Sequence, residues 1–170
     1  MGTRLVRASL AAFAILVLAP TGAAQAKSYD LPAIAAKQVT KINARSSVPV
    51  LLPDHLAIDY GGKLFVSGGT SDTGWDLEFD GAPDCGGANA CFLASVTAEK
   101  GGTPGYKRTV KLRGGVTGYY KPLTCGGSCS PPVIEFVQDG VLYGIAAKVP
   151  GKALKRLTRA ANEALAAGPR

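Results

Sequence analysis

Chemistry-bearing residues are scarce in this chain of 170 residues. Histidine occurs once, at His55 in the run Leu52-Pro53-Asp54-His55-Leu56. One imidazole leaves nucleophilic catalysis a single candidate base, and no Gly-x-Ser-x-Gly elbow offers it a serine. A triad with Asp54 or Asp59 exists only on paper, and a lone histidine in a polar turn reads as a surface residue. Cysteine occurs four times and never as Cys-x-x-Cys, which argues against thiol-redox chemistry. Gly114-Gly115-Val116-Thr117-Gly118 lacks the lysine-serine ending of a phosphate loop, and no helix is expected after it. A calcium-loop pattern is missing. So are internal repeats, low-complexity stretches and, beyond the first 26 residues, any apolar run long enough to cross a bilayer.

The N-terminus has the three parts of a cleavable export signal. Arg4 and Arg7 make a positive start, Leu10 to Pro20 is apolar, and small residues lead to Ala24-Gln25-Ala26. Cleavage is predicted after Ala26. The apolar run is too short for a comfortable span of about 20 residues. No cysteine follows the cut, so a lipid anchor is not expected. The remaining 144 residues suit one domain with a real core. They keep 17 basic and 12 acidic side chains, a net charge of +5. That balance favours anionic partners weakly, because solubility alone would account for it.

Local patterns predict an α+β domain over residues 27–170. Asp30-Leu31-Pro32 can open a helix over Leu31–Asn43, with Asp30 as N-cap and Pro32 in the first turn. Val48 to Pro53 contains two prolines and reads as an extended apolar segment crossing the edge of the core. Strands are predicted at Lys63–Val66 (ended by Gly68-Gly69), Trp75–Asp80, Cys91–Ala98, Lys107–Arg113, Gly118–Lys121, Val133–Val137 and Val141–Ala147. Asp139-Gly140 between the last two marks a tight hairpin. Leu154, Leu157, Ala161, Ala164 and Leu165 recur at helical spacing, and Gly168-Pro169 stops the final helix. Its opposite face carries Lys152, Lys155, Arg156, Arg159 and Glu163. The alanine-rich apolar face fits docking on a sheet better than gripping lipid. The architecture expected is an antiparallel, meander-like sheet of about five to seven strands, flanked by an N-terminal and a C-terminal helix.

Two glycine-rich loops hold the cysteines: Cys85-Gly-Gly-Ala-Asn-Ala-Cys91 and Cys125-Gly-Gly-Ser-Cys129. An even count in an exported chain points to disulfides, with three possible pairings. Closing a long loop by a crossed pair would stabilise more, roughly 4 kcal/mol against about 2 to 2.5 for each short loop. Glycine inside each loop permits the tight turn that joins neighbours. Neighbour pairing is therefore predicted. Zinc is set aside, because spacings of five and three residues are not the usual two and the compartment is oxidising.

Charge also patterns the strands. Asp76, Glu78 and Asp80 alternate, so they share one strand face. Lys107, Lys111 and Arg113 do the same. If these strands meander with Ser95 and Thr97 between them, the two charged rows flank a hydroxyl strip as a surface ladder. Such a ladder is preferred to a calcium site, since a flat row does not wrap an ion. Tyr119-Tyr120-Lys121 adds an aromatic-basic patch.

Residues 75–170 resemble a group of small uncharacterised exported bacterial proteins. The features shared are the Cys85–Cys91 loop, Val110-Lys-Leu-Arg-Gly-Gly-Val-Thr-Gly-Tyr-Tyr120, the Cys125–Cys129 loop, the hairpin Val133–Ala147 and the ending Ala161 to Arg170. Val48 to Pro53 agrees more weakly. The hairpin and helix are similar to a wider bacterial domain of unknown function, in which a tryptophan is common where Phe136 stands here. The resemblance implies a shared α+β fold and brings no catalytic residues.

The function expected is a non-enzymatic periplasmic or secreted binding module, or an envelope-associated one, with a basic face for anionic ligands. Its predicted contact residues are Lys107, Lys111, Arg113, Tyr119, Tyr120 and Lys121. The partner expected is an anionic envelope polymer or another envelope protein. Nucleic acid, metal and cofactor are not expected, nor is a transmembrane segment after cleavage. The alternatives are a secreted hydrolase using the acidic strand or His55, and a structural or regulatory partner of an envelope complex.

Overall fold

A two-stranded sheet and a helix come first along the described chain. The computed structural model describes residues 26–85 and 88–170. The predicted export signal lies almost wholly outside them. Strand β1 (Lys27–Asp30) pairs antiparallel with β2 (His55–Ile58) and leads straight into helix α1 (Leu31–Asn43). As predicted, Asp30 caps this helix: its carboxylate accepts from the Ala33 N–H at 2.9 Å, and Pro32 sits in the first turn. Leu31, Ala35 and Ile42 form its buried stripe.

The main sheet has seven antiparallel strands. They are β3 (Phe65–Ser71), β4 (Gly74–Asp80), β5 (Phe92–Lys100), β6 (Arg108–Lys111), β7 (Thr117–Lys121), β10 (Val133–Gln138) and β11 (Val141–Ala147). A small hairpin of β8 (Thr124–Cys125) and β9 (Cys129–Ser130) is inserted between β7 and β10. The order across the sheet is β3-β4-β5-β11-β10-β7-β6. Two meanders therefore meet at one seam, where β5 pairs with β11. A 3-10 turn, Arg113–Gly115, links β6 to β7. Helix α2 (Ala153–Ala167) follows β11 and packs on β10, β11 and β2, while α1 packs on β3 and β4.

Both helices cover the same sheet face. Beneath them lie Leu77, Phe79, Val96, Ile145, Tyr143, Ile134 and Phe136, all at most 2% exposed. The final helix docks through Leu157, Ala160, Ala161 and Ala164, the small-residue face expected of a protein-packed helix. The turn Asp139-Gly140 has φ of 51° and 74° at its two residues, the left-handed pair that a two-residue hairpin requires.

Three local expectations are corrected. The segment 48–53 does not skirt the core but threads it: Val48, Val50, Leu51 and Leu52 are each at most 5% exposed. Its irregular backbone is held by side-chain and chain-end donors: Trp75 Nε1 and the Tyr143 hydroxyl both donate to the Pro49 carbonyl, at 3.2 and 3.1 Å, and the Arg170 N–H donates to that of Val50 at 3.0 Å. Gly68-Gly69 does not end a strand. A Cβ at Gly68 would meet the Asp76 carbonyl oxygen at 2.5 Å, so glycine here permits close strand approach within β3. His55 lies in strand β2 rather than a turn.

The disulfides join neighbours, Cys85 to Cys91 and Cys125 to Cys129. Antiparallel alternation runs β4 and β7 in the same direction, so the two loops that follow them leave the same end of the sheet. They do not share an edge, because β5, β11 and β10 lie between β4 and β7.

Candidate functional site

Among the described residues no helix packs on the second face of the sheet. Strand register sets one row straight across it: Gly69, Asp76, Thr97, Gly144, Glu135, Tyr119 and Thr109. A parallel row runs Ser67, Glu78, Ser95, Ala146, Val133 and Lys121. Charged residues are spread along these rows. Asp76 and Glu78 stand on β4 and Lys121 on β7, with Glu135 of β10 between them beside Tyr119.

The topology overturns the predicted ladder of opposite charges. Ser95 and Thr97 do flank the acidic strand, but the next strand is β11, and β6 lies at the far edge. The reason is the seam. After β5 the chain crosses the sheet instead of turning back beside it. The crossing loop, residues 101–107, lies over the open face. A Cβ on Gly102 would meet that of Leu142 at 2.9 Å, the Gly105 N–H donates to Glu135 Oε2 at 2.8 Å, and Lys121 Nζ stands 5.9 Å from the Tyr106 ring centre. Leu142, Glu135 and Lys121 all belong to the open face. Burial, with the Glu135 charge second, raises the Tyr106 phenol above its ordinary 10.0.

Only part of the predicted contact set comes together. Lys111, Tyr119 and Lys121 share the open face at its β6–β7 end. Lys107, exposed, stands just before β6. Tyr120 points the other way, into the core, at 6% exposure, and Arg108 covers its ring at 5.3 Å. Alternation alone accounts for that, since consecutive strand residues face opposite sides. Arg113 leaves the strand for the 3-10 turn, where its N–H donates to Asn162 Oδ1 of α2 at 2.7 Å. Its side chain lines a separate cavity of about 460 Å³ with Tyr143, Asp139, Leu51 and Leu165. Sequence reasoning missed Tyr106 as a companion of the basic patch, because nothing local to it shows that its loop folds back over the sheet.

On the acidic side, a groove of about 640 Å³ runs over Gly69, Asp76, Thr97, Glu99 and Gly144 toward Glu135. Glycine forms part of its floor: a Cβ at Gly144 would meet Thr97 Oγ1 at 2.7 Å. Beside it, burial raises the Glu78 carboxyl above its ordinary 4.5, and the Asp80 and Asp76 charges push the same way. Asp80 is 6% exposed, and its Oδ1 has no hydrogen-bond partner among the described residues. Burial raises its carboxyl as well, while contact with the Glu78 carboxyl and the Lys148 charge pull it partly back. No three His, Cys, Asp or Glu side chains among the described residues group to hold a metal ion.

His55 belongs to the opposite side of the molecule. It is exposed on β2 beside α2, and its backbone N–H donates to Glu163 Oε2 at 3.1 Å. The imidazole and the acidic strand thus do not share a cleft.

Among the described residues no helix is long and apolar enough to cross a membrane. No family model, curated protein or solved structure matches the chain.

Proposed function

We propose that this protein is an exported, non-enzymatic binding module that docks an anionic polymer of the cell envelope through the β6–β7 end of its open face. One observation carries the reading. Lys107, Lys111 and Lys121 stand together at this end of the open face, and neither ion pair among the described residues, Arg159–Glu163 or Arg170–Asp54, involves them. Lys107 and Lys111 are exposed to solvent, Lys121 stands over the Tyr106 ring, and Tyr119 shares their face. Lysine stems on aromatic faces give a polyanion both charge and a flat apolar contact. Two disulfides are compatible with an oxidising periplasmic or extracellular location. So is the resemblance to small exported bacterial proteins.

The test is co-sedimentation with purified anionic cell-wall polymer at low and at moderate salt. Binding is expected to weaken as salt rises, because exposed charges are screened over about 8 Å at physiological ionic strength. Reversing Lys107, Lys111 and Lys121 to glutamate is expected to weaken it on the order of 100-fold, at about 1 kcal/mol per lysine near an anionic surface. Binding that ignores both salt and the triple reversal overturns the proposal.

A further inference from the structure

The two edges of the main sheet are managed differently. Edge strand β6 reads Arg-Thr-Val-Lys, and charged side chains of this kind discourage a stray strand from pairing there. Edge strand β3 is longer, seven residues reading Phe-Val-Ser-Gly-Gly-Thr-Ser, and holds no charge at all. Natural sheets rarely leave such an edge open.

The direction of its free backbone groups follows from the register. The two-residue turn after Ser71 pairs Ser71 with Gly74, so Ser71, Gly69, Ser67 and Phe65 bond toward β4. Val66, Gly68 and Thr70 therefore aim their N–H and C=O groups outward. One contact agrees: Gln38 Nε2 of α1 reaches the Val66 carbonyl from outside at 3.5 Å. Among the described residues nothing covers Gly68 and Thr70 in this way, and two adjacent glycines leave no side chain to obstruct an incoming strand.

A groove of about 350 Å³ runs along this edge. Its second wall is one stripe of α1 and the turn after it, Gln38, Lys41, Ile42 and Arg45. Ile42 is buried at the floor, and Lys41 and Arg45 are exposed at the rim, with no acidic residue in the lining. The Thr70 hydroxyl, also in that lining, is buried without a hydrogen-bond partner among the described residues. Unpaired strand groups supply what strand addition of a peptide needs, and the helix wall and basic rim give its side chains something to be selected by.

We propose that the groove between β3 and α1 binds an extended acidic segment of a partner protein, added antiparallel or parallel to β3 as an eighth strand. Backbone pairing to Gly68 and Thr70 supplies the register, and Lys41 and Arg45 select carboxylates. This site is separate from the lysine patch on β6 and β7, at the opposite edge of the sheet.

The probe is a fluorescent, terminally blocked peptide of alternating glutamate and valine, seven residues long, titrated into the disulfide-bonded protein. Saturable binding is expected, with slowed hydrogen exchange at the Gly68 and Thr70 amides. Lys41→Glu combined with Arg45→Glu, both exposed, is expected to weaken it at least about 10-fold through like-charge repulsion. Thr70→Pro removes an outward donor on an edge strand, where proline is tolerated, and is expected to weaken it as well. Should Thr70→Pro fail to fold, the double charge reversal carries the test. Four results overturn the proposal: no binding at millimolar peptide, equal binding of a peptide N-methylated at alternate residues, protection at Arg108–Lys111 instead, or self-association through β3 that the peptide does not displace. Lys107→Glu with Lys111→Glu leaves peptide binding unchanged, so failure here is distinct from failure of polymer binding.

Discussion

Replacing Asp80 by asparagine should stabilise this protein at neutral pH. Asp80 is the single buried charged residue among those described, at 6% exposure, and one of its oxygens has no partner. Its carboxyl and that of Glu78 both titrate above their ordinary values because burial disfavours the charge. The sign follows from linkage. A carboxyl whose pKa is higher folded than unfolded binds protons more readily in the native state. It costs nothing below the unfolded value near 4, becomes destabilising as pH rises through the folded value, and remains so above it. Each unit of difference is worth about 1.4 kcal/mol. An unsatisfied buried polar group costs about 1–3 kcal/mol, but asparagine leaves that atom unpaired, so only the charge is relieved, and the Lys148 attraction is lost with it. A gain of about 1 kcal/mol at pH 7 is the expected balance, with Glu78 returning toward its ordinary range. Urea unfolding followed by circular dichroism at pH 7 and pH 3.5 measures it. The gain should vanish at pH 3.5, while exposed Asp76→Asn should stay within about 0.5 kcal/mol at both. A destabilised Asp80→Asn at pH 7, or the same change at both pH values, refutes the reasoning.

Two further outcomes follow from single contacts. Tyr143→Phe removes one of the two donors to the Pro49 carbonyl and should cost about 0.5–1.5 kcal/mol; burial also pushes the Tyr143 phenol up to about 12, so the native protein should lose stability between pH 10 and 12 as the unfolded phenol ionises first, a loss that the phenylalanine variant lacks in part. Peptide mapping without reduction should recover Cys85–Cys91 and Cys125–Cys129, and removing either bond should cost about 2 kcal/mol in the chain-entropy model.

Sequence periodicity carried most of the secondary structure because the strong signals are local. Asp30 and Pro32 start α1 where they should, Asp139-Gly140 turns the last hairpin, and small alanines dock α2. What escaped was decided by partners distant in sequence. Gly68-Gly69 looks like a turn until Asp76 is seen to pass within contact distance. Leu93 alternates with Ser95 and Thr97 yet is buried, because the register steps from Phe79↔Ala94 to Asp80↔Phe92 and leaves Leu93 as a bulge. The candidate site divides in the same way. Lys111, Tyr119 and Lys121 were legible as a patch, whereas Tyr120 and Arg113 were not separable from it until neighbouring strands and α2 gave each a place.

The meeting of the two meanders bears on how the molecule holds together as one unit. Each meander carries its own helix, α1 on β3 and β4, α2 on β10 and β11. Every sheet pairing within a meander joins strands that follow one another along the chain, apart from the small inserted hairpin. Only the β5–β11 ladder joins distant stretches, from Lys100↔Val141 to Ala94↔Ala147. The Pro49 carbonyl straddles that seam, taking one donor from Trp75 on β4 and the other from Tyr143 on β11. Cooperativity between the halves thus runs through that strand pair, that proline carbonyl and the end of the chain, where α2 packs on β2, the Arg170 N–H donates to Val50 and the Asn43 side chain donates to the Arg170 carbonyl. Opening one helix-bearing meander without the other would have to break all of them.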